Sequence, residues 1–234
     1  QLQQAEGPEG VFADMVTTPV DVGGPLDPSI LKGLRQPPIL LAGGSHGGLL
    51  MGGTLRLWGS DGEGRTAGGQ PISGVRCAAL GHSHTVFIDA RGALRALGNN
   101  SHGQSSPPLH ITTTPEEWVA VSAGLRHSAA LARSGRLIFW GCNKHGQAPA
   151  VAPSGSLTFN AVSVACGARH SVWIDAQGAL WTSGDNTYGQ RGSATANDSA
   201  PSRVDVSTGA ASLAHVRWCT VDAGWSHSVA RGVD

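Results

Sequence analysis

Apolar residues along the chain fall in short runs closed by glycine, without a helical rhythm. Trp118-Val119-Ala120-Val121 is one run rich in strand formers, and Leu137-Ile138-Phe139-Trp140 after Gly135 is another. Short runs bounded by glycine read as strands. Between them, His127 to Ala132 leads into Arg133-Ser134-Gly135, where glycine can supply the positive φ of a tight hairpin turn. The pattern predicts strand, strand, hairpin turn, strand. Pro and Gly interrupt nearly every longer window, and no apolar pattern at i, i+3, i+4, i+7 is sustained, so helices are not expected.

The same pattern recurs at a fixed period. Ala123-Gly124-Leu125-Arg126-His127-Ser128 is followed by Gly135, Trp140-Gly141 and Gly146-Gln147. Gly167-Ala168-Arg169-His170-Ser171 leads at the same offsets to Gly178, Gly184 and Gly189-Gln190, and Gly81-His82-Ser83-His84-Thr85 to Gly92, Gly98 and Gly103-Gln104. A looser copy runs from Gly43-Gly44-Ser45-His46 through Gly53 and Trp58-Gly59 to Gly64-Arg65, with Arg where the others have Gln. A fifth begins at Ala223-Gly224-Trp225-Ser226-His227-Ser228 and stops before its next glycine.

The marker histidines His46, His84, His127, His170 and His227 are spaced by 38, 43, 43 and 57 residues. The last interval is stretched by a polar, small-residue insertion around Ser193 to Ser202, expected to be a surface loop. A fixed period of this length, with several strands per unit, predicts an all-β ring of small sheets. The units divide at about 38–75, 76–117, 118–160, 161–215 and a partial 216–234. Residues 1–37 are rich in Pro and Gly, and Thr18-Pro19-Val20-Asp21-Val22 echoes Pro201-Ser202-Arg203-Val204-Asp205-Val206 after the fourth unit. This segment is read as the closing strand of a preceding blade.

The unit x-A-G-x-x-H-[ST]-x-A-L-x-x-x-G-x-L-x-x-W-G-x-N-x-x-G-Q resembles the repeat of the regulator of chromosome condensation family, and Ser122 to Gln147 matches it almost throughout. The resemblance covers about residues 38–234. WD-type repeats would need a Trp-Asp dipeptide, which is absent, and the paired-glycine and aromatic pattern of kelch repeats does not recur. The order of Gly-Leu-Arg-His before Gly-Trp-Ser-His, with Asn143-Lys144-His145-Gly146-Gln147, is similar to a guanine nucleotide exchange factor of that family. The resemblance implies a seven-bladed β-propeller, of which this chain would supply about four complete blades and parts of two others. An open arc leaves apolar flanks exposed, so the sequence is expected to be part of a longer ring, monomeric when the ring is complete.

Charge changes the list of partners. Lys plus Arg equals Asp plus Glu at 16 each, which leaves no overall field to draw in phosphate backbones or an anionic membrane. Residues 1–30 contain no Lys or Arg, so direct chromatin binding through a basic arm is not expected there. No run is long and apolar enough for a membrane-spanning helix. Cys77, Cys142, Cys166 and Cys219 are scattered without a C-x-x-C pair, which fits reduced thiols in cytoplasm or nucleus, with disulfide pairing as the alternative.

The marker residues Gly81, His84, Gly124, His127, Gly167, His170, Gly224 and His227 are read as architecture. Each histidine belongs to its own blade, too far from the next to share a zinc ion, and its ring nitrogens are expected to satisfy loop backbone groups. Ser128, Ser171 and Ser228 recur with the repeat inside strands, which argues against a nucleophilic triad, and no glycine-rich loop carries the Lys of a phosphate-binding fingerprint. No cofactor, metal or covalent catalysis is expected.

The variable pairs between marker Gly and His offer more: His82-Ser83, Leu125-Arg126, Ala168-Arg169 and Trp225-Ser226. They should sit on loops at one face of the ring, the face that meets a small GTPase in the exchange factors of the family this chain resembles. Arg suits carboxylates and Trp supplies buried area, which makes Arg126, Arg169, Trp225, His82 and Leu125 the candidate partner-binding residues. The bland reading is that they are solvated or packed. The functional expectation is a protein-binding propeller acting on a small GTPase; the alternative is a scaffold or targeting module without exchange activity.

Overall fold

In a computed structural model, residues 37–108, 116–149, 160–192, 200–204 and 216–233 are described. The expected closing strand at 18–22 and residues 193–199 of the insertion lie outside them. The sheets are small and antiparallel. The first blade holds β1 (Ile39–Ala42), β2 (His46–Met51), β3 (Thr54–Gly59) and β4 (Ile72–Ser73), and the second β5 (Val75–Leu80), β6 (His84–Asp89) and β7 (Leu94–Gly98). The third holds β8 (Trp118–Ala123), β9 (His127–Ala132) and β10 (Leu137–Gly141), and the fourth β11 (Ala161–Cys166), β12 (His170–Asp175), β13 (Leu180–Gly184) and β14 (Ser202–Arg203). A fifth sheet pairs β15 (Arg217–Ala223) with β16 (Ser228–Val233).

The fold is therefore a run of β-propeller blades, each a meander in sequence order. Blades one and four add a short fourth strand to the three that the repeat predicts, held by two register pairs each. The first strands of blades two to five share a register shift, at Val75/Cys77, Trp118/Ala120, Ala161/Ser163 and Trp218/Thr220. A bulge repeated at one position bends each of these strands in the same way.

The apolar core lies between blades, which explains why the middle strands carry no polar face. All six residues of β9 are buried, because both faces of its sheet are covered. Ala129 and Leu131 pack toward blade four against Ala161 and Trp173, while Ala130 and Ala132 pack toward blade two against Val86 and Ile88. Strand periodicity sends alternate residues to opposite neighbours, so the small side chains of β9 are what let blades two and four both approach. Trp173 on β12 is wholly buried in return.

A chain of hydrogen bonds stitches the same blades together at one end. His84 Nε2 lies 2.9 Å from Ser128 Oγ of the next blade, and Ser128 Oγ donates to the Gln104 carbonyl of the preceding one at 2.9 Å. The hydroxyl proton is spent on the carbonyl, so the imidazole must be the donor at Nε2. The motif repeats from His46 to Thr85 to the Arg65 carbonyl, from His127 to Ser171 to the Gln147 carbonyl, and from His170 to Ser228 to the Gln190 carbonyl. Nε2 of each of these rings thus serves a hydroxyl of the neighbouring blade, a partner that the sequence did not suggest. His227 differs from the other four: it is exposed, and no described residue offers it a hydroxyl.

Glycines are required where the turns of adjacent blades touch. A Cβ at Gly81 would stand 2.5 Å from the Gly124 carbonyl oxygen, and one at Gly167 would stand 2.7 Å from that of Gly224. Gly98 is required for a different reason, since its φ is 94° and a Cβ would meet the Ser83 carbonyl at 2.6 Å.

Burial is the main force lowering the affinity of these imidazoles for protons. His46, His84 and His170 are brought from the ordinary 6.5 to about 4, and His127 to about 3 with the help of His84 and His170 on either side. Above about pH 6.5 folded and unfolded forms are both neutral, so these groups leave stability unchanged. Below it only the unfolded chain takes up the proton, and stability is lost as pH falls from about 6.5 toward 4. Urea denaturation across that range should show a falling midpoint that His127→Gln makes shallower. Ser171→Ala, which orphans both His127 Nε2 and the Gln147 carbonyl, should cost about 2 kcal/mol, against under about 0.5 kcal/mol for the exposed Ser134→Ala.

Candidate functional site

The strand registers bring two sets of loops to one end of the blades. Gly59, Gly98, Gly141 and Gly184 pair with His46, His84, His127 and His170, so the loop leaving each third strand lies beside the first turn of its own blade. The Gln of each Gly-Gln motif stiffens that loop from inside. Gln104 Oε1 accepts from the His102 amide at 2.9 Å, and its Nε2 donates to Asn99 Oδ1 at 2.6 Å. Gln147 and Gln190 accept from the amides of His145 and Tyr188 in the same way. In blade one Arg65 replaces Gln, donating to Ser45 Oγ at 2.6 Å and pairing with Glu63 at 3.1 Å. A fixed loop of this kind holds the residue before the glycine outward, and that residue is Glu63, His102, His145 or Tyr188 in successive blades.

The first turns of all five sheets surround a shallow depression of about 230 Å³. His82, Leu125 and Trp225 line it, among the marker glycines. Trp225 is 59% exposed, and its ring meets His82 edge to face with centroids 5.7 Å apart and planes at 73°. Burial first, then the charges of Arg65 and Arg126, keep the His82 imidazole below its ordinary pKa. A neutral ring packs against indole without the cost of a desolvated charge.

Arg126 and Arg169 are exposed and stand next in sequence to Leu125 and Ala168, both of which line the depression. The structure therefore gathers His82, Leu125 and Trp225 into one concavity and leaves the two arginines on its rim. Lys144, His145 and Tyr188 on the adjoining loops were not among the candidates. His145 and Tyr188 lie just before a Gly-Gln pair that the repeat holds constant, and Lys144 one residue earlier.

Among the described residues no three His, Cys, Asp or Glu side chains converge as metal ligands. The serine hydroxyls are engaged between blades, and the four cysteines are free thiols, with burial pushing Cys166 up to about 12. No helix among the described residues is long and apolar enough to cross a membrane. A larger groove of about 520 Å³ opens on the first three blades, lined by Ile39, Leu50, Val75 and Trp118 with Arg76 and Arg133, and contains none of the candidate residues.

A model of the regulator of chromosome condensation (RCC1) repeat matches residues 118–147 and 161–190. No curated protein matches by sequence. Prp20p from Saccharomyces cerevisiae, described with its binding properties to Gsp1p and histones, is 18% identical, with a TM-score of 0.70 over 86% of this chain and 57% of that one. Human WBSCR16 is 16% identical, with a TM-score of 0.66 over 84% of this chain and 59% of that chain. The ectodomain of the Physcomitrella patens receptor kinase CR4 is 18% identical, with a TM-score of 0.57 over 83% and 50% of the two chains. The chain thus spans little more than half the length of these structures.

The exposure of the two arginines makes them clean probes. Arg126→Ala and Arg169→Ala should each change unfolding free energy by under about 0.5 kcal/mol in urea melts, since neither fills a core or makes an interblade bond, whereas Trp225→Ala also removes the ring contact with His82 and should cost about 1 kcal/mol.

Proposed function

Because the chain is a β-propeller of the RCC1 repeat type, we propose that it is a protein-binding platform whose turn face engages a small GTPase in the manner of a guanine nucleotide exchange factor. The observation that carries this reading is the depression holding His82, Leu125 and the exposed Trp225. Large aromatic side chains at the centre of a concave, partly desolvated site are the usual anchors of protein interfaces. The protein partners of Prp20p, Gsp1p and histones in one case and Kap60 in another, support a protein-binding role for a propeller of this type.

Exchange needs no covalent step. A platform that binds the nucleotide-free GTPase more tightly than the loaded one weakens nucleotide binding by that same ratio. The residues of the face need only recognise. The equal numbers of acidic and basic residues favour protein over nucleic acid as the partner.

The test is release of a fluorescent GDP analogue from purified small GTPases as the full-length protein is added. Release should accelerate with concentration, and Trp225→Ala should reduce the effect about tenfold or more. Stable binding of a GTPase or another protein without faster release supports a scaffold instead.

A further inference from the structure

Exposed cations stand at both ends of the blades, and several are paired. At the hairpin end, where the Gly53, Gly92 and Gly135 turns lie, Arg91 is exposed without an ion pair among the described residues, but Arg133 pairs with Glu117 at 2.7 Å and Arg136 with Glu116 at 3.2 Å. Arg95 pairs there with Asp89 at 3.1 Å, and Arg76 with Glu117 at 3.4 Å. At the end that carries the depression, Arg126, Lys144 and Arg169 are exposed and have no ion pair or side-chain hydrogen bond among the described residues. Acidic groups on this end are already engaged. Asp61 accepts the amides of Thr66 and Gly68, Glu63 takes Arg65 and Asn99, and Asp185 accepts from the amide and hydroxyl of Thr187. Asp185 is close enough to feel Arg169 and His145 without pairing with either.

The backbone places these three cations on one sector. Arg126 and Lys144 belong to the two neighbouring loops of blade three, where the Cys142 amide bonds the Arg126 carbonyl at 2.8 Å. Arg169 occupies the position of Arg126 in blade four, and its carbonyl accepts the Asp185 amide. Leu125 and Trp225 sit beside them in the depression. An exposed cationic sector to one side of an apolar hollow is a surface whose complement is an apolar side chain followed by carboxylates.

We infer that the docking element of the partner is an acidic protein segment that inserts one apolar side chain against Trp225 and Leu125, with its carboxylates meeting Arg126, Lys144 and Arg169. This rests on the reading of the turn face as the protein-binding surface and adds the chemistry of what binds there. Charges of this kind steer encounter and fix register, and their effect weakens with salt.

The probe is a dye-labelled synthetic peptide in which Asp and Glu flank a single Leu, titrated with the full-length protein and followed by fluorescence anisotropy. Saturable binding is expected, weakened at least about tenfold by Arg126→Ala/Lys144→Ala/Arg169→Ala, and separately by Trp225→Ala, and declining as salt is added. The inference is overturned by absence of saturable binding, by equal binding of the triple variant, by equal binding of a peptide with Lys in place of the acids, or by a duplex oligonucleotide that displaces the peptide better than unlabelled peptide does. Peptide binding that meets these terms, with no GTPase showing faster release, sinks the exchange reading and leaves this one standing. Faster release that Trp225→Ala removes and the triple variant keeps does the reverse.

Discussion

Everything at the candidate face hangs on one relay, the imidazole of one blade donating to a hydroxyl of the next, which in turn donates to a carbonyl of the first. Each link satisfies two buried polar groups and crosses the interface in both directions, so blades cannot separate without orphaning all of them. The same relay fixes the first turn of the first four units, because the histidine that donates follows that turn directly. A backbone held this way can place the side chains between Gly124 and His127 at a constant height, whatever they are.

The relay also accounts for small residues that apolar burial alone would not require. Gly81 and Gly167 let successive turns approach until a carbonyl of one blade occupies the place where a Cβ of its neighbour would be. Gln104 offers its carbonyl to both Ser128 Oγ and Trp140 Nε1, so the loop that carries His102 outward is tied to the core of the next blade. In blade one the marker is followed by Gly47 where the other blades have Ser or Thr, and a Cβ there would stand 2.9 Å from the Trp58 ring. That blade gives a histidine to the relay and supplies no hydroxyl to it.

Rigidity and chemistry are divided between layers of the same loops. Buried members of the repeat, His, Ser and Gln, make hydrogen bonds that join blades or brace loops. The positions between them take no part in the relay and differ from blade to blade: the half-buried His82 and Leu125 and the exposed Arg126, Arg169 and Trp225. Function grafted onto a repeat in this way varies without disturbing the fold.

The all-β run of propeller blades and the turn glycines were legible in the sequence, because a repeated unit that buries both faces must keep its His, Ser and Gly at constant offsets. The candidates His82, Leu125, Arg126, Arg169 and Trp225 were legible for the opposite reason, as the positions where the repeat varies. What those residues form together was not. Only tertiary structure sets Trp225 of the fifth sheet against His82 of the second, and decides that marker imidazoles bond across blades instead of within their own loops. It also leaves Arg126 and Arg169 unpaired while Arg133 and Arg136 are matched by Glu117 and Glu116. Pairing of charges and rings depends on which blades lie side by side and on which end a loop emerges, and neither quantity is local to the chain.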